Sequence, residues 1–199
     1  MDRMALPQIA RACVALVHCS GLASSSLDRT PMPELAPSPD CRQFDRELIS
    51  AFARTHYLAI DGRQQTTLRI GAPVPLALSR RFRGRSWAVV TAYNPAARIV
   101  SMTRNRRADR RLGRCLARLR PSLLLRTIHR SPGGDWPDEH GWLFCPAPHP
   151  LALRLGQHFG QVAVVIGRPG HAAEIFECDV TARHNATGNR SPADWRFAS

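Results

Sequence analysis

The sequence predicts an α+β domain, and three observations lead there. Two near-continuous apolar runs, Trp87–Tyr93 (WAVVTAY) and Gln161–Ile166 (QVAVVI), read as buried strands bounded by turn signals. Two other segments, beginning near Met102 and near Leu151, repeat apolar residues at helical spacing. From Trp87 to Ile166 the elements run strand, helix, strand, strand, helix, strand, which is the order of the ferredoxin-like split β-α-β plait.

Each element has a local reason. Phe44, Leu48 and Phe52 recur every fourth residue, so a helix is expected from Asp40, where Asp40 and Gln43 resemble a capping box, to about His56. Tyr57–Ile60 and Thr66–Ile70 are β-rich runs around Asp61-Gly62 and predict a hairpin, the N-terminal addition to the plait. Pro73 and Pro75 open a short turn or helix. Asn94-Pro95 ends the central strand. Ser101 caps a helix from Met102 to about Leu119, stopped before Pro121. Leu123–Arg130 is a strand, residues 131–138 a Gly/Pro loop, and Gly141–Cys145 a short strand. Leu151, Leu155 and Phe159 mark a second helix closed by Gly160. Ala173–Cys178 is the last strand. Residues 1–39 read as a flexible leader, with Met32 as an alternative start, residues 40–178 as one domain, and residues 179–199 as a flexible tail.

The charge is local. All 28 basic residues are arginine. Thirteen of them fall between Arg80 and Arg120 with one acid, Asp109, while the rest of the chain holds 15 arginines against 14 acids. That segment points to a polyanion such as nucleic acid. On a helical wheel Arg104, Arg107, Arg111, Arg114 and Arg118 share one face, opposite a stripe of Ala108, Leu112, Cys115, Leu116 and Leu119. No apolar run reaches the ~18 residues that cross a bilayer, and no membrane partner is expected. The six cysteines form no C-x-x-C pair and the histidines show no ligand spacing, so no metal, no cofactor and a reducing cytoplasmic compartment are expected.

The strand Trp87-Ala-Val-Val-Thr-Ala-Tyr-Asn-Pro, then Asn105, then Trp136 and Glu139, then Phe159-Gly160-Gln161-Val162-Ala163-Val164-Val165, resembles the bacterial domain-of-unknown-function 3293 family. The resemblance covers about Phe44 to Cys178. The chain departs from the family pattern after Glu139, where Pro and Ser are replaced by His140 and Gly141, and at Tyr93, where Trp is common. The resemblance implies a short residue list and no reaction.

Five polar residues follow from these readings: Thr91, Asn94, Asn105, Glu139 and Gln161. Asn105 falls on the apolar stripe, where an amide without partners costs ~1–3 kcal/mol, so it is expected to tie the helix to the backbone around Asn94-Pro95. Thr91 and Asn94 close the central strand, either as turn chemistry or at a strand end where ligands bind. Gln161 opens the last buried strand. Glu139, in a Gly/Pro loop between Trp136 and Trp142, is the candidate acid or base, or else an ordinary loop acid or a partner for arginine. Three functions are open: a non-catalytic binding or adaptor module, a nucleic-acid-associated protein using residues 80–120, and an enzyme with Glu139 in a polar pocket.

Overall fold

The structure is a computed structural model and describes residues 39–178. The leader and tail readings, and the side chains of the Asp40–Gln43 cap, lie outside what is described. In order, the elements are α1 (Pro39–Arg54), β1 (His56–Asp61), β2 (Gln64–Leu68), α2 (Leu76–Phe82), β3 (Trp87–Thr91), α3 (Met102–Arg118), β4 (Leu123–Arg130), β5 (Glu139–Cys145), α4 (His149–His158), β6 (Ala163–Gly167) and β7 (Glu174–Glu177). A 3-10 turn, Pro95–Ala97, follows β3.

The strands form one sheet in the order β2-β1-β4-β5-β3-β6-β7, and every neighbouring pair is antiparallel. All five residues of β3 are buried, as an apolar run without alternation requires, and the strand lies between β5 and β6. The sheet curls until the chain beyond its two edge strands meets. Ile70 bridges Ala173, and Gly71 N–H donates to the Ala173 carbonyl at 2.9 Å.

Strand alternation divides the core between the two faces. Trp87 and Val89 join Tyr57, Leu68, Leu125, Leu143 and Val165 inside the curl, which α2 plugs with Leu78 and Phe82. Phe82 stacks on Trp87 with ring centroids 5.0 Å apart. Gly167 is required on the neighbouring strand, because a Cβ there would lie 2.1 Å from the Trp87 indole. Ala88 and Val90 face the other way, toward α3 (Leu112, Leu116) and α4 (Leu151, Ala152, Leu155).

β5 begins at Glu139, two residues before the predicted start, because the ladder with β4 continues through Ile128↔His140 and His129↔Glu139. Glu139 is therefore held in register on a strand and does not sit in the Gly/Pro loop. Gln161 precedes β6 by two residues and does not open it. The arginines of residues 80–120 do not form one patch. Arg80 and Arg81 ride on α2 and Arg83 and Arg85 follow it, whereas α3 packs on the opposite face of the sheet.

Candidate functional site

The five polar residues converge where β3, β5 and α3 meet. Asn94 occupies the left-handed region (φ 45°) after β3, a conformation that Asn tolerates better than most residues. The sharp turn aims its N–H inward, and that N–H donates to Asn105 Oδ1 at 2.9 Å. Asn105 Nδ2 donates back to Asn94 Oδ1 at 2.9 Å, and Val100 N–H donates to the same oxygen at 3.2 Å. Asn94 Nδ2 then donates to Glu139 Oε1 at 2.9 Å. Asn105 and Asn94 are 4% exposed each, so this chain of amides replaces hydration that burial removed.

The other two residues brace the same corner. Thr91 Oγ1 donates to the His140 carbonyl at 2.8 Å and accepts from Tyr93 N–H at 3.0 Å. Gln161 Nε2 donates to the Tyr93 carbonyl at 3.0 Å, and Ala96 N–H donates to the Gly160 carbonyl at 2.7 Å. The turn after β3 is thus pinned to the loop before β6.

Glu139 Oε1 also accepts from Trp136 Nε1 at 2.8 Å. Its second oxygen, Oε2, has no hydrogen-bond partner among the described residues, and Glu139 lines a cavity of about 130 Å³. Asn94 and Gln161 share that lining, with Phe52 of α1, Tyr57, His129 and Trp136, and with Glu47, Arg54 and Asp135 among the others. Thr91 and Asn105 do not line it; they hold residues that do.

Burial pushes the Glu139 carboxyl up to about 7, against the pull of the Trp136 and Asn94 hydrogen bonds. His129 is driven the other way, down to about 3, by burial and then by the nearby His140. It is neutral at pH 7 and its Nε2 lies 3.0 Å from Thr127 Oγ1. Tyr57 is raised by burial and by the Glu139 charge, and its hydroxyl donates to the Phe52 carbonyl at 3.2 Å. A Cβ on Gly141 would lie 2.8 Å from His129 Nε2 and 2.9 Å from Thr127 Oγ1. Gly141 thus stands where any side chain would meet His129, Thr127 and the Val90 carbonyl.

Trp142 does not flank Glu139. It faces α3, where its Nε1 donates to Asp109 Oδ1 at 3.0 Å, and Arg126 NH1 donates to the same oxygen at 3.0 Å. The Arg126 guanidinium lies 4.2 Å over the Trp142 ring. Asp109 is the residue that sequence reasoning missed. It stands four residues after Asn105 on the same helix face, and its spacing alone was the available signal. Asp135 hydrogen-bonds Ser131, and Asp138 pairs with Arg130. Arg104, Arg107, Arg111, Arg114 and Arg118 are all exposed, as are Arg106 and Arg110, which widen the predicted face. Among the described residues no cluster of three or more His, Cys, Asp or Glu side chains could hold a metal ion, and no helix is long and apolar enough to cross a membrane.

Residues 90–164 match the model of a family described as a protein of unknown function (DUF3293), which supports the resemblance carried by the four motifs. The matched stretch runs from β3 into β6 and holds all five polar residues. No curated protein and no solved structure matches the chain.

Proposed function

We propose that this is a small-ligand-binding module in which Glu139 recognises an amine- or amidine-type N–H group of a compact molecule. One observation carries the reading: a carboxyl with one oxygen anchored by Asn94 and Trp136 and the other open to an aromatic-lined cavity. The cavity, about 130 Å³, is small for a ligand site, so the ligand is compact. Phe52, Tyr57 and Trp136 supply the aromatic part of the lining for the body of the ligand. Neutral His129 adds no positive charge to the lining, and the Glu139 carboxyl, once ionised, favours a cation.

Binding is favoured over turnover because the polar groups around Glu139 are committed to holding the corner. Asn94 and Asn105 bond each other, and Gln161 bonds the backbone. The same reading takes β4-β5-β3-β6 with α3 and α4 as a ferredoxin-like plait; the support is the antiparallel strand order and the burial of both helices in one core.

Titration calorimetry with n-butylamine and benzamidine tests the reading. Affinity should rise between about pH 6 and pH 8, as Glu139 ionises, and should vanish in Glu139→Gln. Binding that ignores both pH and that substitution would defeat it. Conversion of a bound amine into a new product would instead favour the enzyme reading.

A further inference from the structure

The second feature is independent of the cavity and lies on α3. Of its 17 residues, Arg104, Arg106, Arg107, Arg110, Arg111, Arg114 and Arg118 are exposed. None of the seven forms a salt bridge among the described residues; the pairs present involve Arg81, Arg126, Arg130 and Arg168. The helix has a single acid, Asp109, and it is turned inward, 8% exposed and bound to Arg126 and Trp142.

The arrangement works against the helix that carries it. Arginines at i, i+3 and i+4 repel one another, and those in the first turns oppose the helix dipole. An isolated helix optimised for stability would interleave acids on that face. We infer that the solvent face of α3 is a binding surface for the phosphate backbone of duplex nucleic acid, whose negative charge relieves this repulsion.

Three observations favour that partner. At 1.5 Å per residue the helix runs for about 25 Å, the length of roughly seven base pairs at ~3.4 Å each. The sequence of α3 contains no aromatic residue, so it offers no stacking platform for single-stranded bases. Its apolar stripe is spent on the core, with Leu112 and Leu116 fully buried, which leaves Met102 at its first position as the one large apolar side chain exposed on the helix, too little to sink into a lipid surface. The contact reads charge and not base sequence.

Fluorescence anisotropy of the full chain with a labelled duplex of about 20 base pairs tests this, and the splitting of the arginines across the sheet provides the control. With about four phosphate contacts, affinity should fall on the order of 100-fold between 50 and 200 mM salt. The triple variant Arg107→Glu/Arg111→Glu/Arg114→Glu should weaken binding at least about tenfold. Arg80→Glu/Arg83→Glu/Arg85→Glu, on the other face, should change it less than about twofold. Should the first variant misfold by circular dichroism, Arg→Gln at the same three positions replaces it, with the same direction of effect. Any of four results overturns the inference: no binding at low salt, binding indifferent to salt, equal loss from both faces, or capture by anionic phosphatidylserine vesicles without capture of the duplex.

Discussion

Two carboxylates, the buried Asp109 and the half-buried Glu139, present nearly the same hydrogen-bond pattern on different sides of the sheet. Each accepts an indole N–H on a single oxygen, from Trp142 at 3.0 Å and from Trp136 at 2.8 Å. They differ in the second donor. Asp109 has the Arg126 guanidinium; Glu139 has the Asn94 amide. A guanidinium neutralises a buried charge, whereas an amide only solvates it, and burial accordingly raises the Glu139 carboxyl to about 7. One centre is a closed ion pair that fastens α3 to the sheet. The other keeps a proton available at neutral pH beside a cavity. The second donor separates a structural acid from a candidate ligand group.

The strongest way to break this contrast is Glu139→Gln. A raised folded pKa means that the folded state holds its proton more tightly than the unfolded chain. The associated stability is fully present below about pH 4.5 and is lost as pH rises through about 7. The amide variant has no proton to lose. Its stability relative to the natural protein should therefore climb by roughly 3 kcal/mol between pH 4 and pH 8, read from urea midpoints at each pH. A difference that stays flat across that range would show that Glu139 is not desolvated. Next in size is Asn105→Ala, which removes the two bonds to Asn94 and leaves a buried N–H unpaired. It should cost about 2 kcal/mol and free the Glu139 corner without touching Asp109. Unchanged urea stability would contradict the coupling of helix to turn.

How much of this could be read beforehand depended on whether a residue's role was local. Asn105 was legible because the apolar stripe around it left an amide with no water, and the nearest candidate partner was the turn at Asn94. The pairing of Trp142 was not. Alternation along β5 puts Trp142 and Glu139 on opposite faces only if the strand's start is known, and the ladder begins at Glu139, not at Gly141. Asp109 was hidden for a related reason. Its spacing from Asn105 put it on the inner face, but its countercharge, Arg126, comes from another strand and has no sequence signature. The division of the arginines between two layers was illegible too, because it depends on which face of β3 each helix covers. The curl that joins Ile70 to Ala173 is a contact of high sequence separation and leaves no periodic trace.

Arg126→Met sharpens the comparison from the other side, since it gives Asp109 an environment closer to that of Glu139. Breaking a buried pair costs about 3–5 kcal/mol, but the Arg126 side chain is 35% exposed, so solvent screening reduces the loss to roughly 1.5 kcal/mol. The loss should shrink at high salt, where the charge of this part-exposed pair is screened. If the variant loses stability equally at every salt concentration, the cation was acting through its packing on the Trp142 ring and not through its charge.

The smallest effect expected is also the most diagnostic. Trp136→Phe keeps a ring beside the cavity but deletes the indole N–H that Glu139 Oε1 accepts. Asn94 still donates to that oxygen, so the stability loss should stay near 1 kcal/mol. The indole bond holds the Glu139 pKa down, so its removal should move the carboxyl further above its ordinary value. Carbon-13 NMR of a labelled Glu139 side chain would follow this titration directly. An upward shift would mean that the two donors to Oε1, not solvent, set how readily Glu139 ionises to receive a cation. A midpoint that stays put would mean that water already reaches the carboxyl, and the distinction drawn between the two acids would no longer hold.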